Sequence, residues 1–199
     1  MLFWNLLIVA MHAFETPTPA GRALAISLAC LAAWCVAPPH AWAGQEGEQK
    51  IRVQVKLSQD GVHDSSEIFV ALELAIEPGW HINSANPPDE SMIPTSVEVS
   101  PSGGIVQAAI RYPKGEQRKL GFSDDLLDVY EGRVFILVKL RVGSGVRIGQ
   151  HMLEAALTYQ ACNKSICLAP SVLRVKIPLQ VVGREAEVKR MNPELFTDF

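Results

Sequence analysis

The chain predicts an all-β fold, an immunoglobulin-like antiparallel β-sandwich, and three observations carry that reading. Apolar and polar residues alternate over five separate segments, turn-forming residues punctuate them, and helical periodicity is nearly absent. Strict alternation with a period of two is the mark of a strand with one face buried, because successive side chains point to opposite faces of a sheet.

In order, the alternating sets are Ile51, Val53, Val55 and Leu57; then Ile68, Val70, Leu72, Leu74 and Ile76; then Val134, Ile136, Val138, Leu140 and Val142. Leu153, Ala155, Leu157 and Tyr159 form the fourth set, and Leu173, Val175, Ile177, Leu179 and Val181 the fifth. Between them lie Asp60-Gly61, Pro78-Gly79, Pro87-Pro88, Pro101-Ser102-Gly103-Gly104, Pro113-Lys114-Gly115 and Gly143-Ser144-Gly145, all turn sequences. With the shorter runs included, this spacing predicts roughly eight or nine strands, with a closed barrel as the competing arrangement. Only Arg184 to Met191 has a weak helical pattern. Residues 184–199 read as a charged C-terminal tail, whose Leu195, Phe196 and Phe199 are able to dock on the body.

The N-terminus points to export. Arg22 precedes an apolar run from Ala23 to Ala37, and Ala41-Trp42-Ala43 follows. Charged, apolar and small-residue segments in that order make a secretory signal peptide, expected to be cleaved after Ala43. Met11 is the alternative initiator, because Met1 to Ala10 is a second apolar run without a basic start. The other reading, an uncleaved anchor, is opposed by a run shorter than the roughly 20 residues that span a bilayer. The expected organisation is a signal peptide over 1–43, one domain over 44–183 and the tail over 184–199, in a periplasmic product. Removing 43 of the 199 residues leaves 156, enough for one domain with a core of its own.

Cleavage also removes Cys30 and Cys35, leaving Cys162 and Cys167. An even count in an exported chain points to one disulfide. Two cysteines separated by four residues in β-rich sequence fit across the mouth of a short hairpin, with Cα atoms near the ~5.5 Å that a disulfide favours. So short a loop yields only ~2 kcal/mol of chain-entropy stabilisation. A bond that stabilises little but is easily reached by a thiolate suits electron exchange, with one cysteine attacking and the other resolving the mixed disulfide.

Other chemistries find little support. The net charge is −3, and the leader contributes one Arg and one Glu, so the mature value is the same. No Lys/Arg cluster supplies a nucleic-acid footprint. No apolar stretch after Ala43 is long enough to span a membrane. The sequence contains neither G-x-S-x-G nor G-x-G-x-x-G. His63 and His151 show no metal-ligand spacing, so neither a metal nor a cofactor is expected; a soft metal such as Cu(I) on the two thiolates is the remaining metal reading. Asp124 and Asp125 are adjacent and would face opposite ways on a strand. Tyr159 has two readings, a hydroxyl near the sulfurs or a core ring. Gln160 is either a partner contact or an ordinary strand residue. Trp80 reads as a core aromatic. His81 reads as a surface or core histidine, or as a neighbour that helps form a thiolate.

Several blocks, in this order, carry a resemblance: Pro78-Gly79-Trp80-His81-Ile82-Asn83, Tyr112-Pro113-Lys114-Gly115, Tyr130-Glu131-Gly132, and Tyr159-Gln160-Ala161-Cys162 followed by Cys167-Leu168-Ala169-Pro170. From about Val53 to Val182 the chain resembles the N-terminal periplasmic domain of the thiol:disulfide interchange protein DsbD and its relatives. The resemblance implies a sandwich that relays reducing equivalents through its cysteine pair, with Cys167 bonding to partners and Cys162 resolving. It implies a cap loop whose aromatic residue, matched by Phe122, covers the disulfide. It also implies thioredoxin-fold partners. The best-known members have one more residue between the cysteines and acidic residues before the cap aromatic, where this chain has Lys119, Leu120 and Gly121. Full-length members continue into a membrane domain and a thioredoxin-like domain, so a separate membrane or periplasmic electron donor is expected for a monomeric carrier. The alternative, from another class, is a non-catalytic immunoglobulin-like interaction module with a structural hairpin disulfide.

Overall fold

The computed structural model describes residues 49–89, 91–119 and 126–197. They form an antiparallel β-sandwich of immunoglobulin-like type with a third, smaller sheet. The first sheet has the order β1 (Ile51–Leu57), β3 (Glu67–Ile76), β9 (Arg133–Val142), β6 (Ile105–Arg111). The second runs β2 (Val62–His63), β12 (Ser171–Val182), β10 (Gly149–Tyr159), β5 (Ser96–Val99). The third is β11 (Ala161–Cys162), β4 (His81–Asn83), β8 (Leu126–Glu131), β7 (Glu116–Lys119).

All five alternating sets are strands: β1, β3, β9, β10 and β12. Their apolar positions meet in register, Leu72 with Val55 and Ile136, Val70 with Leu57 and Val138. Within the second sheet, Leu153, Ala155 and Leu157 of β10 pair with Ile177, Val175 and Leu173 of β12. The inward faces make one core that includes Val70, Leu72, Leu74, Ile136, Leu140, Leu157 and Ile177, all at most 1% exposed. Glu73 is buried on the outer face of β3. It is neutralised by Lys56 at 3.6 Å and Arg133 at 3.2 Å, as a buried carboxylate requires.

Three expectations are corrected. Twelve strands are present among the described residues rather than eight or nine, the excess being pieces such as β2 and β11, too short to show a period. The β2–β12 pair is parallel, Val62 against Val181. Arg184 to Met191 is not helical. Its backbone is consumed by the segment after β1: Asp60 N–H donates to Lys189 O (3.1 Å), Lys189 N–H to Asp60 Oδ1 (2.9 Å) and Met191 N–H to Ser58 O (2.8 Å). Asn192 Nδ2 donates to Leu57 O at 2.9 Å, a single 3₁₀ turn follows at Pro193–Leu195, and the Phe196 ring lies 6.3 Å from that of Phe69. No helix among the described residues is long and apolar enough to cross a membrane.

Two turns carry the chain between the first and third sheets. Glu77-Pro78-Gly79-Trp80 closes with Trp80 N–H on Glu77 O (3.0 Å), and Gly79 has φ of 82°. Pro second and a positive-φ Gly third is the pattern of a type II turn. On the return, Gly132 (φ 63°) separates β8 from β9, and its carbonyl accepts from Ile76 N–H at 2.7 Å. These turns place His81 at the start of β4 and Glu131 at the end of β8.

Candidate functional site

The cysteine pair sits where β11 turns back on itself. Asn163 N–H donates to Ile166 O (2.9 Å) and Leu168 N–H to Ala161 O (2.8 Å), so hydrogen bonds flank the Cys162–Cys167 bridge on both sides. The two cysteines are therefore a non-hydrogen-bonded antiparallel pair, the narrow site of a ladder, where Cα atoms approach to about 4.5 Å and the side chains share a face. They form a disulfide with Cα atoms 4.0 Å apart. The expected ~5.5 Å was too long because it was the general disulfide value rather than that of this narrow site. Asn163 closes the loop: its Oδ1 accepts from Ser165 N–H (2.8 Å) and Ile166 N–H (2.9 Å), an Asx turn.

The two sulfur-bearing residues differ in access. Cys162 is fully buried, whereas Cys167 is exposed beside the exposed Ile166. Gln160, half-buried, donates from Nε2 to Leu168 O at 3.1 Å and so ties the strand before Cys162 to the residue after Cys167. Tyr159 is buried in the main core at the end of β10. Burial pushes its phenol above the ordinary value, partly offset by the Ser171 hydroxyl. Trp80 packs half-buried on the core, and the Lys50 ammonium lies 4.7 Å from the centre of its ring. His63 Nδ1 and His151 Nε2 are each within hydrogen-bonding distance of a backbone carbonyl, Gly183 O (3.0 Å) and Arg147 O (2.7 Å). Phe122, Asp124 and Asp125 fall outside the described residues.

Sheet pairing adds two residues. His81 is the register partner of Cys162 on one side and of Glu131 on the other. Paired residues of neighbouring strands project to one face, so Cys167, Cys162, His81 and Glu131 form a row across the sheet. Arg118 of β7 extends it, with Nη2 3.3 Å from Glu131 Oε2. The opposite face bears Ala161, Ile82 and Tyr130, which belong to the main core. On the row's own face Leu127 and Val129 make a small separate cluster with Met92.

The family-like blocks frame this sheet. The Tyr130 hydroxyl accepts from Ala85 N–H and donates to Pro113 O, both at 3.1 Å. The Tyr112 hydroxyl accepts from Val97 N–H at 2.9 Å. A Cβ on Gly115 would fall 2.5 Å from Asp128 Oδ1, so glycine permits that approach.

The face is polar where a core strand would not be. His81 is 3% exposed, and its Nε2 has no hydrogen-bond partner; two residues along β4, Asn83 Oδ1 is in the same condition. An unpaired buried polar atom typically costs about 1–3 kcal/mol, so two on one short strand call for a reason. Burial lowers the His81 pKa below 6.5, opposed by the Glu131 carboxylate. The unfolded imidazole titrates near 6.5, so below that pH the unfolded chain holds the extra proton. The contribution of His81 to stability is thus full above pH 6.5 and is lost as pH falls toward the folded pKa. Denaturant titrations across this window should show the oxidised protein losing stability, with a flatter dependence for His81→Gln. An identical slope in both would mean that His81 is already solvated.

The sequence marks His81 without its neighbours, and nothing in it singles out Glu131. Period-two patterning says which residues share a face within a strand, not which strands are adjacent. The available signal was His81-Ile82-Asn83 itself, two polar residues flanking an apolar one right after a type II turn.

Residues 45–178 match the family described as thiol:disulfide interchange protein DsbD, N-terminal. No curated protein matches the chain. Among solved structures, the reduced N-terminal domain of DsbD from Neisseria meningitidis is 15% identical, with 69% of this chain and 88% of that one covered and a TM-score of 0.41. The N-terminal periplasmic domain of ScsB from Proteus mirabilis is 14% identical, with 66% of this chain covered and a TM-score of 0.45; this chain spans 47% of its length. The match over residues 45–178, with the cysteine pair inside it, makes this chain a member of the DsbD N-terminal domain family.

Proposed function

We propose that this protein is a periplasmic thiol–disulfide electron carrier that exchanges with thioredoxin-fold proteins through Cys162 and Cys167. The observation that carries the reading is the asymmetry of the pair, a buried Cys162 bonded to an exposed Cys167. A thiolate must approach the sulfur it attacks, so a reductant meets Cys167 and forms the mixed disulfide there. Cys162 then leaves as the thiolate, takes a proton, and in the reverse direction attacks Cys167 to release the partner. Gln160 and Asn163 hold the loop, so the sulfurs re-form their bond without refolding.

Exported Cys162→Ala protein lacks the resolving thiol and should accumulate mixed disulfides with thioredoxin-fold proteins, identified by mass spectrometry after acid quenching. Recovery of the variant with Cys167 free and no covalent partner would favour the interaction-module reading, in which the disulfide is a staple.

The cap belongs to the same proposal. If Phe122 covers the disulfide, Phe122→Ala should raise the rate of non-specific reduction by glutathione while the unfolding midpoint stays nearly constant. A drop of about 3–5 kcal/mol in stability would instead make Phe122 a core residue.

A further inference from the structure

We propose that His81 accepts the proton of the Cys162 thiol and so generates the buried thiolate that resolves the mixed disulfide. The proposal deepens the exchange reading above and rests on it.

Three observations converge. His81 lies directly across the ladder from Cys162 on the same face, so the imidazole and the thiol are neighbours by register. Its Nε2 is buried and has no partner while the disulfide is closed. Glu131 stands on the other side of the imidazole in the same row. In the oxidised protein the sulfur of Cys162 has no proton to give and Nε2 stays empty. Opening the bond creates the one group the nitrogen lacks, a thiol on the facing strand. A buried imidazole held below its ordinary pKa is neutral and able to accept.

The step balances. With the partner's sulfur bonded to Cys167, the Cys162 S–H proton passes to His81 Nε2. The Cys162 thiolate attacks Cys167 Sγ, the Cys162–Cys167 bond forms, and the bond from Cys167 to the partner breaks. The partner leaves as a thiolate and takes the proton from the imidazolium, so the partner is reduced and the cysteine pair oxidised. In the opposite direction the imidazolium protonates the departing Cys162 thiolate. While the imidazolium exists it is flanked by the thiolate and by Glu131, and Arg118 holds Glu131 at 3.3 Å. His81, Glu131 and Arg118 also line a cleft of about 470 Å³, whose other charged groups are Glu77 from the β3–β4 turn, Lys119 from β7 and Lys164 from the cysteine loop. The two lysines favour the thiolate, and Glu77 is paired with Lys50 at 3.6 Å.

The test uses reduced protein and dithiobis-nitrobenzoate, a chromogenic disulfide that needs no protein partner. Attack by Cys167 releases one coloured thiolate, and resolution by Cys162 releases a second. His81→Gln should leave the first release within about twofold. It should slow the second by at least about tenfold at neutral pH, the low end being less than a typical general-base contribution. The lost rate should return only as pH rises past the ~8.5 of an ordinary thiol. Glu131→Gln, a half-buried site, should slow the second release by a smaller factor, which keeps the test open if His81→Gln does not fold. A second release with unchanged rate and pH profile in His81→Gln, or in Glu131→Gln if that is the only folded variant, overturns the role of His81. A wild-type protein that releases a single thiolate overturns the exchange reading itself, a different result from either.

Discussion

Replacing Cys167 by Ser is expected to reduce exchange with an oxidised thioredoxin-fold protein to background, while Cys162→Ser stops the same reaction halfway. The buried sulfur of Cys162 cannot be reached by a protein-sized partner, so without Cys167 the remaining thiol is inert. Without Cys162 the exposed Cys167 still forms a mixed disulfide but has no second thiol of its own to resolve it. Incubating each purified variant with an oxidised thioredoxin-fold protein and separating the products on a non-reducing gel distinguishes them: covalent heterodimer for Cys162→Ser and none for Cys167→Ser. The reverse pattern would exchange the roles of the two cysteines.

The second large effect is on stability. Ile82 lies between His81 and Asn83 but points the other way, fully buried in the main core. It pairs with Ala161 and Tyr130, so its side chain fixes the third sheet to the sandwich. Ile82→Ala should cost about 2–5 kcal/mol, the transfer free energy plus the cavity left behind. Because β4 carries His81 on its other face, loss of the anchor should also slow exchange. Ile166→Ala, at an exposed position in the cysteine loop, should change stability by less than about 0.5 kcal/mol. Reducing the disulfide should cost only about 2 kcal/mol, because the loop it closes is so short. Equilibrium denaturation of the three forms checks all of these, and an Ile82→Ala midpoint equal to wild type would mean that the third sheet is not anchored by this residue.

The sandwich was legible because its long strands each bury one face, which writes a period of two into Ile68 to Ile76 and Leu153 to Tyr159. The turn at Pro78-Gly79 was legible because a positive φ leaves a glycine as its trace. The cysteine pair was legible from chemistry and count. The third sheet was not, since β4 and β11 span three and two residues and show no period. With it went the row from Cys167 to Glu131, because adjacency of β11, β4 and β8 is a long-range property. The C-terminal segment misled for a different reason. Its charged residues read as a weak exposed helix, yet Asp60 and Ser58 satisfy its backbone instead.

A working redox pair and a structural staple differ in reduction potential, so the potential of Cys162–Cys167 decides between them. Equilibrating the purified domain with dithiol redox buffers and counting alkylated thiols by mass spectrometry yields the potential. A value well above roughly −300 mV places the pair among labile, exchanging disulfides, and this is the predicted result. A value at or below roughly −300 mV, in the range of structural disulfides in secreted proteins, would contradict the account.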